Sequence, residues 1–191
     1  MRGLLIVISG PSGVGKGTVV KELLKDDGYT FSISVTTRPP RAGEIDGREY
    51  CFVSKEEFFK LIAEDAFIEH AEYVGNYYGT PRKYVEEQIA DGKVVVLDIE
   101  VVGALQVKEK LPDALLIFLL PPSLEELERR LINRNTEKPE AIAHRLQKAK
   151  EELALVEKYN YTVVNNTVDS AVSKIMEIVS DVSSKYMHYR A

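Results

Sequence analysis

Tryptophan is absent from this chain, and cysteine occurs once, at Cys51. One thiol excludes an internal disulfide and fits a reducing compartment. The three histidines, His70, His144 and His188, stand far apart without metal-ligand spacing, so no structural zinc site is signalled. Nothing points to a Ser–His–Asp grouping. No apolar run approaches the length of a membrane span. An excess of positive charge is also lacking: the formal net charge is −5, which argues against broad binding to a nucleic-acid polymer. Any phosphate site must therefore be a local cluster of cations. The first strand pattern begins at Leu4, which leaves no room for a secretory leader; the expectation is a cytoplasmic protein without membrane contact.

What is present begins directly after the aliphatic run Leu4–Ile8. Gly10, Pro11, Ser12, Gly13, Val14, Gly15, Lys16, Gly17 and Thr18 form a glycine-rich turn leading into a helix. Gly10, Gly15 and Lys16 fit the phosphate-loop template; its terminal hydroxyl comes one residue late, with Gly17 in place and Thr18 following. Such a turn aims backbone N–H groups at an anion and adds a lysine for a terminal phosphate. Val19, Val20, Leu23 and Leu24 fall on one face of the helix that follows. The chain is expected to bind a nucleoside triphosphate here.

The 191 residues suffice for one sizeable core with inserts. Strand patterns recur at Leu4–Ile8, Phe31–Val35, Val94–Leu97, Ala114–Leu120 and Tyr161–Val164. Helical patterns alternate with them: Thr18–Lys25, Val101–Lys110, Ser123–Arg134 with Ser123 and Glu126 spaced as a capping box, Pro139–Lys158 and Thr167–Tyr186. Alternation of this kind predicts an α/β fold, a parallel five-stranded sheet with helices on both faces. Residues 36–92 break the rhythm with Pro39, Pro40 and several glycines. Strand-like alternation at Tyr50–Val53 and Phe67–Val74, a helix at Ser54–Glu64 and another opening with Thr80 as N-cap read as a small α+β insert closing over a ligand. Phe58-Phe59 and Leu61-Ile62 read as core. The boundaries expected are a core of 1–34, 93–126 and 150–191, an insert of 35–92 and a lid of 127–149, the lid centred on the polar stretch Asn133–Pro139.

Ligands of open parallel sheets bind beyond the carboxyl ends of the strands. There the third strand delivers Asp98, a carboxylate able to hold a magnesium ion directly or through water, or merely a helix-capping acid; Glu100 is a weaker candidate. The second strand runs towards Ser34, Thr36, Thr37 and Arg38. Arg38 and Arg41 suit capture of a phosphate, whereas Arg48, among acids, reads as a surface residue. Arg129 and Arg130 have Glu125 and Glu126 four residues before them and read as ordinary helix-surface pairs. Arg134 and Arg145 lack such partners in sequence and flank the polar loop, as expected of groups that grasp a transferring phosphoryl. Glu69 lies on an otherwise apolar strand beside aromatic residues. It is either a surface acid or an acceptor for two adjacent N–H groups, a pair that guanine offers and adenine does not.

Together these blocks resemble the guanylate kinases of the bacterial kind over nearly the whole chain, from about Leu4 to about Ser184. The resemblance rests on Ser9–Thr18, Ser34–Arg38 with Arg41, Gly47–Tyr50, Phe67–Glu69, Gly75–Pro81, Leu97–Glu100 with Gly103-Ala104, Pro121–Ser123, Arg130–Thr136 and Arg145-Leu146. The Tyr77-Tyr78-Gly79-Thr80-Pro81 block is more specific than the phosphate loop. The resemblance implies a P-loop NTPase core with a GMP-binding insert and a lid, and phosphorylation of GMP by ATP with Mg2+, dGMP being a further acceptor to test. By matching position it implies that Ser34, Glu69 and Thr80 read guanine, and that Arg38, Arg41, Tyr50 and Tyr78 hold the GMP phosphate. Lys16 and the loop amides would hold the ATP phosphates, Arg134 and Arg145 would neutralise the group in transfer, and Asp98 with Thr18 would stand near the metal. Val102 stands where the family often has Gln, and Asn135 where it often has Gly. The competing readings are a kinase for another nucleoside monophosphate, which Glu69 discriminates, and a non-catalytic interaction module, against which the intact Gly10, Gly15 and Lys16 speak.

Overall fold

The computed structural model describes residues 3–132 and 139–188, the side chains of 139–141 and 186–188 aside. The chain runs through β1 (Leu4–Ser9), α1 (Lys16–Leu23), β2 (Tyr29–Phe31), β3 (Val35–Thr36), β4 (Cys51–Phe52) and α2 (Lys55–Ala63). Next come β5 (Phe67–Tyr73), β6 (Asn76–Pro81), α3 (Arg82–Ala90), β7 (Val94–Asp98), α4 (Val101–Lys110) and β8 (Leu115–Leu120). It ends with α5 (Leu124–Ile132), α6 (Pro139–Leu153), a single 3-10 turn, β9 (Tyr161–Val164) and α7 (Val168–His188).

The main sheet is five-stranded in the order β2-β7-β1-β8-β9, and every neighbouring pair is parallel. Strands with both faces covered must be aliphatic throughout, and β1 is buried along its whole length. On one side Ile6, Ile8 and Leu119 pack with Leu23 of α1 and Ile175 of α7. On the other, Leu5, Val7 and Leu116 pack with Val85 of α3 and with Val101 and Ala104 of α4. The predicted parallel α/β sheet is thus present. The chain leaves β1 towards β2 and later crosses from β7 to β8 on the other side of β1, which puts the phosphate loop at a topological switch point.

A second sheet, in the order β4-β3-β6-β5, is mostly antiparallel and encloses its own small core of Val35, Phe58 and Phe67. The strand predicted at Phe31–Val35 is therefore two strands in two sheets. Tyr29–Phe31 pairs with β7, whereas Val35 and Thr36 pair with Cys51, Phe52, Tyr78 and Gly79. An uninterrupted run of strand-forming residues carries no information about which sheet each half joins.

Three local expectations are also corrected. Thr80 belongs to β6, and Pro81 is the N-cap of α3, because the Thr80 hydroxyl is used elsewhere. The helix from Pro139 ends at Leu153, and Val156–Lys158 forms the separate 3-10 turn. Phe58 is fully buried but Phe59 is 48% exposed, since adjacent helical residues point about 100° apart. Ser54 caps α2 with a reciprocal box to Glu57. At α5 the Ser123 hydroxyl accepts from Glu126 N–H, while the Glu126 carboxylate goes to Arg129 and Arg130.

Candidate active site

Strand β1 delivers the phosphate loop and α1 opens at Lys16 with no side-chain cap, so its first N–H groups stay directed outwards for an anion. Gly15 adopts φ +99°, and a Cβ there would stand 2.7 Å from Asn165 Nδ2. Asn165 fills that space because its amide donates to the Val14 carbonyl at 2.8 Å. Arg130 completes the brace, donating to the carbonyls of Val14 and Asn165 at 3.3 and 3.1 Å and to Glu126 at 2.9 Å. Its role is thus to lock the loop, beyond the surface pair its spacing predicts; Arg129 pairs with Glu126 rather than Glu125. The two arginines together hold the Glu126 carboxyl down at about 2. Lys16 Nζ rests on the Gly10 carbonyl at 2.6 Å. A cavity of about 290 Å3 opens beside the loop, lined by Gly13, Gly15, Thr18, Arg130, Asn165 and Thr167.

Asp98, at the end of β7, sits next to this loop. Its Oδ2 lies 3.8 Å from where a Cβ on Gly17 would stand. Burial raises its pKa, Lys16 opposes that, and Glu100 adds to it. Glu100 itself is drawn off by Lys148 at 2.6 Å. Arg145, on α6, donates to Ser12 Oγ at 3.4 Å and so reaches the same loop. Arg134 and Asn135 lie outside the described residues.

The second sheet and the loop between β3 and β4 contribute a second cluster. Thr36 accepts from the Arg38 backbone N–H at 3.1 Å, and the Thr37 hydroxyl accepts from Tyr77 N–H at 2.9 Å, which anchors the loop to β6. The Arg38 guanidinium has 11% of its side chain exposed and donates to both Glu44 oxygens at 2.9 Å. It lies over the rings of Tyr50 and Phe52, and Tyr50 meets Tyr78 edge to face at 5.8 Å. Glu44 also accepts from the Arg41 backbone N–H at 2.7 Å, and that bond leads the causes holding its carboxyl below the ordinary range. The Arg41 side chain is exposed, and Arg48 pairs with Glu49 on the surface as its neighbours predict. Burial raises the Tyr50 phenol, with Tyr78 next and Asp98 among the contributors, so this cluster lies in the field of the core carboxylate.

Glu69 is 4% exposed, on β5. Thr80, across the hairpin on β6, donates to Glu69 Oε1 at 2.6 Å. Burial raises the Glu69 pKa, and the Thr80 bond pulls it back. A fully buried carboxylate is not a surface acid; its remaining lone pairs are suited to N–H donors. Ser34 is half-buried in the link between the sheets, its carbonyl accepting from Cys51 N–H at 3.0 Å.

A phosphate loop with a neighbouring carboxylate, and an arginine–tyrosine cluster and a buried glutamate around the second sheet, are groups of the kind that bind phosphates and N–H donors. The family model described as guanylate kinase matches residues 2–182. The chain belongs to the guanylate kinase family. A guanylate kinase of Streptococcus agalactiae is 54% identical over 191 residues, covering 99% of this chain and 89% of that protein. One from Clostridium perfringens is 56% identical over 179 residues, covering 93% and 83%. The crystal structure of guanylate kinase from Anaplasma phagocytophilum superposes with a TM-score of 0.76 at 37% identity, covering 94% of this chain and 86% of that one. A gluconokinase from Sinorhizobium meliloti, at 17% identity and a TM-score of 0.55, shares the fold alone.

Within this candidate site of a guanylate kinase family member, sequence reasoning missed Asn165, Glu44 and the loop-bracing role of Arg130. Asn165 was findable: it directly follows β9 at the carboxyl edge of the sheet, the edge at which Asp98 ends β7. Glu44 and Arg130 carry no such signal, since each is ordinary in its sequence neighbourhood.

Proposed function

We propose that this chain, a guanylate kinase that converts ATP and GMP to ADP and GDP, does so by bringing two anions together under opposite charge, with no general base. The acceptor is already an anionic phosphate oxygen, so positioning and charge neutralisation carry the acceleration. The observation that supports this best is the place of Asp98 at the end of β7, its Oδ2 3.8 Å from where a Cβ on Gly17 of the donor loop would stand. Lys16 and the loop amides from Gly10 to Thr18 bind the β- and γ-phosphates. The cavity bordered by Arg130, Asn165 and Thr167 takes the rest of the donor nucleotide. Arg38, Arg41, Tyr50 and Tyr78 hold the GMP phosphate; Ser34, Glu69 and Thr80 read the guanine. Arg145 and Arg134 neutralise the group in transfer.

Thr18 and Asp98 present one hydroxyl and one carboxylate beside the loop. That donor set suits an ion that draws its other ligands from phosphates and water. These two residues would hold Mg2+, which when bound supplies positive charge to the phosphate oxygens. The substrates are small and soluble, and a cytoplasmic location accords with the single, unpaired cysteine. No described helix is long and apolar enough to cross a membrane. The insert of 35–92 and the lid of 127–149 close over acceptor and donor and exclude water that would hydrolyse ATP.

The test is ADP formation from ATP and Mg2+ with GMP, dGMP, AMP, CMP or UMP as acceptor. GMP is expected to dominate, and Lys16→Ala to lose transfer while remaining folded. Equal turnover of AMP, or none of GMP, would overturn the reading.

A further inference from the structure

Gly103 lies in the first turn of α4, buried, where helices favour a residue with a side chain over glycine. What faces it most closely is Glu69, with Ile99 Cδ1 farther off at 3.4 Å. A Cβ at position 103 would stand 2.8 Å from Glu69 Oε2 and 3.4 Å from Glu69 Cδ. The first distance is shorter than nonbonded carbon and oxygen tolerate. The carboxylate has little room to retreat, because Oε1 is tied to Thr80 at 2.6 Å and the residue is 4% exposed. Ile68 and Phe67, preceding it on β5, are buried in two different clusters and fix that strand from both faces. Position 103 and the Glu69 carboxylate therefore compete for one space.

We propose that Gly103 determines nucleotide specificity: its missing side chain is what allows the Glu69 carboxylate to stand where it accepts both N–H groups of a guanine edge. This rests on the reading of Glu69 as the guanine acceptor. Gly103 is a positioning residue, acting through Glu69 without touching the nucleotide. A methyl group there turns or displaces Oε2. Two parallel hydrogen bonds weaken steeply when one acceptor moves, because both distance and angle change. A base that lacks one of the two donors loses less. The effect thus falls on acceptor choice, whereas a general loosening of α4 would affect both substrates alike. Alanine is the better helix former, so the substitution favours α4 locally while opposing Glu69.

The experiment compares wild type, Gly103→Ala, Glu69→Gln and the double variant, with GMP and with IMP, which keeps the ring N–H but lacks the exocyclic amino group. Gly103→Ala is expected to raise KM for GMP about tenfold, the scale of losing a hydrogen bond to a charged acceptor. KM for ATP should hold within about twofold, the GMP-over-IMP preference should drop, and no further loss should appear in the Glu69→Gln background. If Glu69→Gln leaves the GMP-over-IMP preference intact, the guanine-acceptor reading fails, and this inference with it. If Glu69→Gln lowers the preference but Gly103→Ala does not, or the two losses multiply, only the role of Gly103 is refuted. A stability cycle serves if Gly103→Ala folds poorly. The alanine should lower the melting temperature when Glu69 is present and raise it in a Glu69→Ala background; lowering it equally in both overturns the proposal.

Discussion

The Thr80 hydroxyl donates a 2.6 Å hydrogen bond to Glu69 Oε1 across the β5–β6 hairpin, inside the protein rather than at its surface. Burial makes the carboxyl harder to ionise, so its pKa stands above the ordinary glutamate value. As pH falls through that raised value the group protonates and loses an acceptor. We expect kcat/KM for GMP to fall on the acid side, with an inflection above the ordinary glutamate range. Glu69→Gln should lack this limb. Thr80→Val, which removes a contact that lowers the pKa, should move it to higher pH. Stability runs the other way: a carboxyl raised on folding favours the folded state at low pH, and that contribution is lost as pH rises through the folded value. Rate profiles and urea unfolding across pH 4–8 check both signs.

Arg38 is held by Glu44 and stacked on Tyr50 and Phe52, so its planar, forked shape matters as much as its charge. Arg38→Lys keeps the charge and loses the fork. The expected result is a loss of about 1.5–3 kcal/mol in kcat/KM for GMP, the scale of a charged hydrogen bond. KM for ATP should be unchanged. Steady-state kinetics with each substrate varied in turn would show it; a wild-type profile would mean that charge alone suffices.

Asn165 ties β9 to the phosphate loop through the Val14 carbonyl. Asn165→Ala removes a buried donor and leaves a space against Gly15. It should cost about 1–3 kcal/mol of unfolding free energy. KM for ATP should rise while KM for GMP stays put. Chemical denaturation with parallel kinetics tests this, and an equal rise in both KM values would argue against a loop-specific role.

Lys148 on α6 bonds Glu100 at 2.6 Å, approaches Glu152 at 3.7 Å and lies 5.3 Å from the centre of the Tyr73 ring on the insert. Lys148→Met leaves two carboxylates facing each other. With the lysine partly exposed, the loss is expected to be only about 1 kcal/mol. Burial, then Glu100, raises the Glu152 pKa. The loss should therefore shrink as pH falls and the Glu152 carboxyl protonates. Melting curves of both proteins at pH 5 and pH 8 decide it; an equal difference at the two pH values would count against the charge explanation.

Closure of insert and lid predicts a smaller radius of gyration with GMP and a non-hydrolysable ATP analogue both bound than with neither. X-ray scattering measures this directly, and an unchanged radius would refute closure.

Much of this molecule was written locally. The aliphatic β1 and the Gly10–Thr18 turn announce a buried parallel strand and an anion site, because both depend on residues adjacent in the chain. The predicted helices recur for the same reason, each being a matter of spacing within one segment. The family resemblance supplied candidate roles for residues that composition and periodicity could not. Tertiary structure alone decided how the Phe31–Val35 run divides between two sheets, since pairing partners lie tens of residues away. It alone made Glu69 a buried acceptor instead of a surface acid, turned Arg130 from a surface pair into a brace, and set Gly103 against Glu69. Each of these depends on which distant atoms share a volume, and hydrophobic periodicity records only which side of a segment faces inwards, never what waits there.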